Sequence, residues 1–163
     1  MSWGDVRRLL CVRLDSIGDV LMTTPALRAC RESFDCQITL LTSNSGATVA
    51  RLVPEVNAIV PFTAPWMKPV AARGDEAMIQ RLRAGRVDAA IVFNVYSQSA
   101  LPAAYLCYLA GIPLRLAHCR ENPYYLLTDW ATEKDHFGQP EIRHEVRRQQ
   151  REARLGDAGL LHA

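Results

Sequence analysis

Apolar residues recur along this chain in short unbroken runs, each followed by a stretch with helical spacing. Leu9-Leu10-Cys11-Val12 is the first run, of the kind that makes a strand buried on both faces. A helical pattern follows, in which Val20, Leu21, Ala26 and Leu27 are apolar and Thr23 and Arg28 polar. The alternation then repeats. Strands are predicted at Gln37 to Thr42, Asn57 to Phe62, Asp88 to Asn94 and Leu114 to Ala117. Helices are predicted at Ala47 to Leu52, Asp75 to Ala84 and Ala100 to Ala110. The last of these is apolar almost all round and too short to span a membrane, which predicts a packed position inside the fold. Successive β-α units joined by right-handed crossovers give an α/β fold, a Rossmann-like parallel sheet with helices on both faces.

In such a sheet, ligands bind beyond the carboxyl ends of the strands. The turn after the first strand reads Arg13-Leu-Asp-Ser-Ile-Gly-Asp-Val-Leu-Met-Thr-Thr-Pro25. Ser16 with Asp19 three residues on is a variant of the capping box, so a helix is expected to start near Ile17. Gly18 would let backbone approach a ligand closely, and the free N–H groups of the first turn favour an anion. That anion is Asp19 itself, a substrate phosphate, or both in competition. Asp19 is a candidate general base, although Asp15 and Asp19 as plain helix caps account for the same residues. The turn lacks the G-x-G-x-x-G spacing of dinucleotide folds. No acidic residue ends the second strand to take a ribose hydroxyl, since Ser43 and Asn44 stand there. A dinucleotide-binding oxidoreductase domain is therefore the disfavoured third reading.

Other candidates follow later strands. Thr63 to Gly74 is a long loop holding Trp66, Lys68 and Arg73, and long loops in compact domains are more often functional than idle. Asn94-Val-Tyr-Ser-Gln-Ser99 offers hydroxyls and amides to sugar hydroxyls, or Ser97 or Ser99 as a helix cap with Pro102 in the first turn. Gln98 has no capping role. Tyr124, Tyr125 and Trp130 read as packing residues, and Arg143 to Arg154 as a basic helix with a solvated face.

Composition narrows the class. The chain has 163 residues, 49% hydrophobic and 22% charged, with a net charge of +2. That is one ordinary globular domain with no nucleic-acid footprint. Five cysteines without C-x-x-C spacing argue against disulfides and zinc, so no metal is expected. The absence of a visible signal peptide or spanning segment sets the expected location as the cytoplasm. Most of the 19 basic residues are arginine, whose planar fork suits carboxylate and phosphate groups. A GC-rich coding bias would give the same preference.

Five segments together carry a resemblance: Leu9 to Leu41, Asp88-Ala-Ala-Ile-Val-Phe-Asn94, Leu109-Ala-Gly-Ile-Pro113, Cys119-Arg120-Glu121 and Arg143-His144-Glu145. In that order they resemble the family 9 glycosyltransferases, the lipopolysaccharide heptosyltransferases. The likeness fades after Arg148. The resemblance implies the N-terminal half of a GT-B fold, with residues 1–142 as an acceptor-side domain. Residues 143–163 would form a basic helix leading toward an absent C-terminal donor-binding domain. It implies inverting transfer of a heptose from ADP-heptose, with Asp19 as general base and ADP-heptose as substrate rather than cofactor. The acceptor would be lipid A–Kdo or inner-core lipopolysaccharide, met by peripheral contact with the inner membrane face. Ser16, Gly18, Lys68, Arg73, Gln98, Arg120, Glu121 and His144 are the residues expected to meet it. A chain ending where the second domain should begin is expected to be inactive alone. The alternative is a non-catalytic acceptor-binding fragment or remnant.

Overall fold

The computed structural model describes residues 1–69 and 74–132. Arg73, His144, the predicted basic helix and the 142/143 domain boundary lie outside the described residues. A short 3-10 turn (Trp3–Asp5) leads into β1 (Arg8–Arg13), α1 (Ile17–Phe34), β2 (Gln37–Thr42), α2 (Asn44–Ala50) and β3 (Ala58–Pro61). After it come α3 (Asp75–Ala84), β4 (Ala89–Val92), α4 (Leu101–Leu109), β5 (Leu114–Cys119) and β6 (Asp129–Thr132). The strands form one parallel sheet in the order β3-β2-β1-β4-β5-β6. This is the doubly wound order, in which the chain reverses direction between β1 and β4.

Both faces of the sheet are covered. Leu9 and Cys11 of β1 pack under α1 and α2, with Leu27, Cys30 and Ile38. Leu10 and Val12 point the other way, into the layer of α3 and α4, with Leu82, Leu106 and Ile112. Side chains on a strand alternate between faces, so a strand covered on both sides reads as continuously apolar.

Several local expectations are corrected. In α1 the face on the sheet is Val20, Thr23, Leu27, Cys30 and Phe34, a regular helical stripe that leaves Leu21 about a quarter turn away and exposed. Thr23 is buried because its hydroxyl donates to the Asp19 carbonyl at 2.8 Å. The helix continues through Pro25. The missing N–H would have served the carbonyl of Leu21, whose exposure lets water replace it. Helix α2 begins three residues before the predicted Ala47, because Ser43 caps it: its Oγ accepts from the N–H of Gly46 at 3.0 Å. Helix α4 is not wrapped in core all round, since Tyr105 and Tyr108 face outward. Tyr124 and Tyr125 are exposed rather than packed, whereas Trp130 does pack against the core from β6.

Candidate active site at the carboxyl edge of the sheet

β1 ends on Arg13, a charged residue with 0% exposure. A guanidinium stays charged at any pH a protein survives, so its burial requires anionic partners. The turn supplies two. Arg13 Nη2 donates to Asp19 Oδ1 at 2.9 Å, and Arg13 Nε lies 3.2 Å from Asp15 Oδ2. Asp15 is held from the other side as well, its carbonyl accepting from the Ser43 hydroxyl at 2.7 Å.

Ser16 is the N-cap of α1, and its capping box with Asp19 is closed in both directions. The Ser16 hydroxyl donates to Asp19 Oδ2 at 2.6 Å and the Ser16 N–H to the same oxygen at 3.0 Å. The Asp19 N–H returns a longer bond of 3.4 Å to Ser16 Oγ. Burial alone would raise the Asp19 pKa, but the two Ser16 hydrogen bonds and Arg13 outweigh it. The carboxyl is therefore held below its ordinary value. Asp19 is ionised at neutral pH, oriented by three donors, and still partly open to solvent. The cap expected from the sequence is present, and it fixes where the Asp19 carboxylate points. At Gly18 an added methyl would meet only Ser16 Oγ, at 3.8 Å. The fold itself does not demand glycine there.

A cavity of about 200 Å³ opens beside this turn, between the ends of β1 and β4. That is the topological switch point, where a doubly wound sheet binds its ligand. Asp15 and Gln98 bring polar groups to its wall, and Trp66, Met67, Phe93 and Pro102 supply apolar surface. Few polar groups on an apolar wall are the usual makeup of a small-molecule site. Asp19, Ser16 and Gly18 stand at the neighbouring turn, not on the wall.

The loop after β4 and the loop after β5 are tied together. The Arg120 guanidinium lies over the Tyr96 ring, 4.6 Å from its centroid. The Ser99 hydroxyl bonds the Glu121 carboxylate and lowers its pKa. Arg120 and Glu121 therefore brace the 94–99 loop that carries Gln98. Asn94 adds bonds from its side-chain amide to the carbonyls of Val95 and Gln98. Ser99 Oγ also accepts from the Leu101 N–H at 3.2 Å, although Ala100 takes the cap position. Lys68 is exposed, on a turn closed by bonds from the Met67 and Lys68 N–H groups to the Ala64 carbonyl, and is not on the cavity wall.

Sequence reasoning passed over Arg13 and Asp15 as site residues. The available signal was the charge itself: an arginine closing an otherwise apolar strand is either at an edge or neutralised by nearby carboxylates. Among the described residues, no group of three or more His, Cys, Asp or Glu is placed to hold a metal ion. No helix among them is long and apolar enough to cross a membrane.

This six-stranded parallel sheet with helices on both faces is a fold shared with GT-B glycosyltransferases. No family profile matches the chain, and no curated protein matches it. Solved structures do. The fold is similar to that of E. coli ADP-heptose lps heptosyltransferase II, at 22% identity and a TM-score of 0.69, covering 90% of this chain and 40% of that one. It is similar to a family 9 glycosyltransferase from Veillonella parvula, at 16% identity and a TM-score of 0.69, covering 93% and 41%. It is also similar to E. coli heptosyltransferase WaaC with ADP, at 21% identity and a TM-score of 0.66, covering 91% and 46%. At these identities the likeness establishes the fold. The chain spans less than half the length of each of these proteins.

Proposed function

We propose that this chain is the acceptor-binding half of an inverting glycosyltransferase of family 9, acting in heptose transfer from ADP-heptose to the lipopolysaccharide inner core. The observation that carries the reading is the ionised Asp19, fixed by Arg13 and Ser16 at the edge of a sheet shared with heptosyltransferases. In this reading the acceptor sugar enters the switch-point cavity. Gln98 and Asp15 hydrogen-bond its hydroxyls, and Trp66 covers its apolar face. The attacking hydroxyl turns toward Asp19. As that oxygen bonds to the anomeric carbon, its proton passes to the carboxylate and the nucleotide diphosphate departs from the opposite face. A positioned base of this kind contributes roughly 10²- to 10⁴-fold. Its depressed pKa makes Asp19 a reliably charged but weak base, suited to accepting a proton late, when the hydroxyl has become acidic.

In this reading the described residues hold the acceptor and the base, and Asp19 is the group on them that takes the proton. A dinucleotide fits the turn poorly: Asp15 and Asp19 give the cluster with Arg13 an excess negative charge where a pyrophosphate would have to sit. A non-catalytic acceptor-binding module is the second reading, favoured by Asp19 standing at the turn beside the cavity and not on its wall. Calorimetric titration with a lipid A–Kdo analogue and with ADP-heptose tests the proposal. Acceptor binding without donor binding supports it, and donor binding alone overturns the domain assignment. Asp19→Asn, placed in a chain that carries a donor domain, separates the two readings. Loss of transfer with retained acceptor binding marks a base, and unchanged transfer removes Asp19 from the mechanism.

A further inference from the structure

Helices α3 and α4 run in the same direction, from the carboxyl edge of the sheet to its amino edge, since α3 leads from β3 to β4 and α4 from β4 to β5. Their far ends are tied together, Arg83 Nη2 donating to the Leu109 carbonyl at 2.8 Å. Helix α3 opens on Asp75 and Glu76 and closes on Arg81 and Arg83. Glu76, Gln80 and Arg83 recur at helical spacing and are exposed, so they form one stripe along the flank of α3 beside α4. The acid and the base of that stripe stand two turns apart, about 10 Å.

Beside the stripe, α4 presents no charge. Residues Ala89 to Leu114 hold no charged side chain, and the outward seam of α4 is Leu101, Tyr105 and Tyr108, again at helical spacing. Tyr105 stands at the middle of this nine-residue helix, which is about 13 Å long. It is 51% exposed and Tyr108 47%, with the two rings stacked 6.5 Å apart. The Arg115 guanidinium lies 5.5 Å from the centre of the Tyr108 ring and steadies it. Aromatic residues without charge at a centre, and charged residues around it, are the makeup of a protein–protein contact.

The remaining charges of this face are engaged or lie off the stripe. Glu121 stands near the start of α4, where the Ser99 hydroxyl bonds its carboxylate. Arg120 beside it lies over the Tyr96 ring and offsets that charge. Lys68 is exposed in the loop that leads toward α3. At the other end, Arg81 and Arg86 are exposed with Arg83. Asp88 on that edge accepts from the Arg7 and Arg8 N–H groups, and Asp129 from Trp3 Nε1 and the Thr128 hydroxyl.

The polarity of the stripe decides what fits it. A two-fold axis through Tyr105 reverses the direction of both helices in the second copy. It lays the seam of α4 antiparallel on itself, Tyr105 against Tyr105 and Leu101 toward Tyr108. It also sets Glu76 of each copy against Arg83 of the other, so the unlike pair forms twice. We infer that this chain self-associates through α4 as a two-fold dimer, with Tyr105 at its centre and Glu76–Arg83 pairs at its rim. The inference does not rest on the proposed function. The cavity belongs to the other side of the helix, since Pro102 and Ala103 line it while Tyr105 and Tyr108 face outward.

Sedimentation equilibrium of the purified chain, from micromolar to near-millimolar concentration, tests this. A monomer–dimer equilibrium is expected. Tyr105→Ser, at a half-exposed position, should weaken it about tenfold, because each dimer holds the residue twice at its centre. Glu76→Arg and Arg83→Glu should each abolish self-association, since each places two like-charged pairs in the rim. Mixed in equal amounts, the two variants should associate with each other about as tightly as the wild type, every rim pair being unlike again. Circular dichroism of each variant establishes that it is folded, and the mixture separates lost complementarity from a damaged surface. A chain that stays monomeric throughout overturns the inference and leaves the seam to a different partner. So does a dimer that Tyr105→Ser leaves intact, or a mixture of the two folded charge variants that remains monomeric.

Discussion

Replacing Arg13 by methionine removes the cation that Asp15 and Asp19 share at the end of β1. The wild-type pairs sit at 2.9 and 3.2 Å, with the guanidinium wholly buried. Each pair is worth about 4 kcal/mol at an effective dielectric of 20, offset by a desolvation cost of several kcal/mol per ion. The net value of the intact cluster is therefore small. Removing the arginine alone should nonetheless cost about 3–5 kcal/mol, because the carboxylates then lose their counter-charge. That is a large share of the 5–15 kcal/mol a domain typically has. Asp15→Asn and Asp19→Asn added to Arg13→Met should recover most of the loss, since a neutral cluster needs no counter-ion.

The pH dependence follows with a definite sign. Asp19 has a folded-state pKa below its unfolded value, so its contribution is complete above the unfolded value, about 3.9, and is lost as pH falls through the folded one. In Arg13→Met the Asp19 pKa rises, and stability should change less between pH 7 and pH 3 than in the wild type. Urea unfolding followed by circular dichroism at both pH values reads all of this. A loss below about 1 kcal/mol, or a triple variant no more stable than Arg13→Met, would refute the reasoning.

Three further outcomes are expected. Gly46→Ala would place a methyl 2.3 Å from Thr42 Oγ1 and 2.9 Å from Val20 Cγ2. It should destabilise the fold by about 1–3 kcal/mol in the same unfolding assay, the usual cost of overpacking. Ser16→Ala removes the cap of α1 and both side-chain bonds to Asp19. A loss of about 0.5–2 kcal/mol is expected, with the Asp19 pKa moved upward in a carboxylate NMR titration. The thiols of Cys36 and Cys119 are pushed up to about 11, and that of Cys107 to about 12, in each case chiefly by burial. Alkylation at pH 8 should therefore be slow in the folded chain and rapid after unfolding, as mass spectrometry would show.

The sheet was legible because strands buried on both faces have to be written as continuous apolar runs: Leu9 to Val12 and Ala89 to Val92 admit little else. β6 was not, since Asp129–Thr132 is a four-residue strand at the sheet's edge with polar residues at both ends. The start of α1 was readable from Ser16 and Asp19 because capping is a local interaction. The Arg13 contacts depend on how β1 aims a side chain back over the turn, which spacing alone does not encode. The α4 tyrosines misled for a related reason: a helix without charges reads as interior, although its outer face meets solvent. Which of the loop residues would share one cavity was likewise fixed by strand order. Placing β4 beside β1 is what brings Gln98 and Asp15 to the same wall.

The central claim is that the cavity between β1 and β4 holds the acceptor sugar. Trp66 lines that cavity and is 38% exposed, so its fluorescence reports occupancy directly. Titration with a Kdo-bearing acceptor analogue should shift its emission and saturate. ADP-heptose should produce no change, and Trp66→Phe should abolish the response while Trp3 and Trp130 still emit. An acceptor that binds by calorimetry but leaves Trp66 emission untouched, or a response to ADP-heptose instead, would contradict the account.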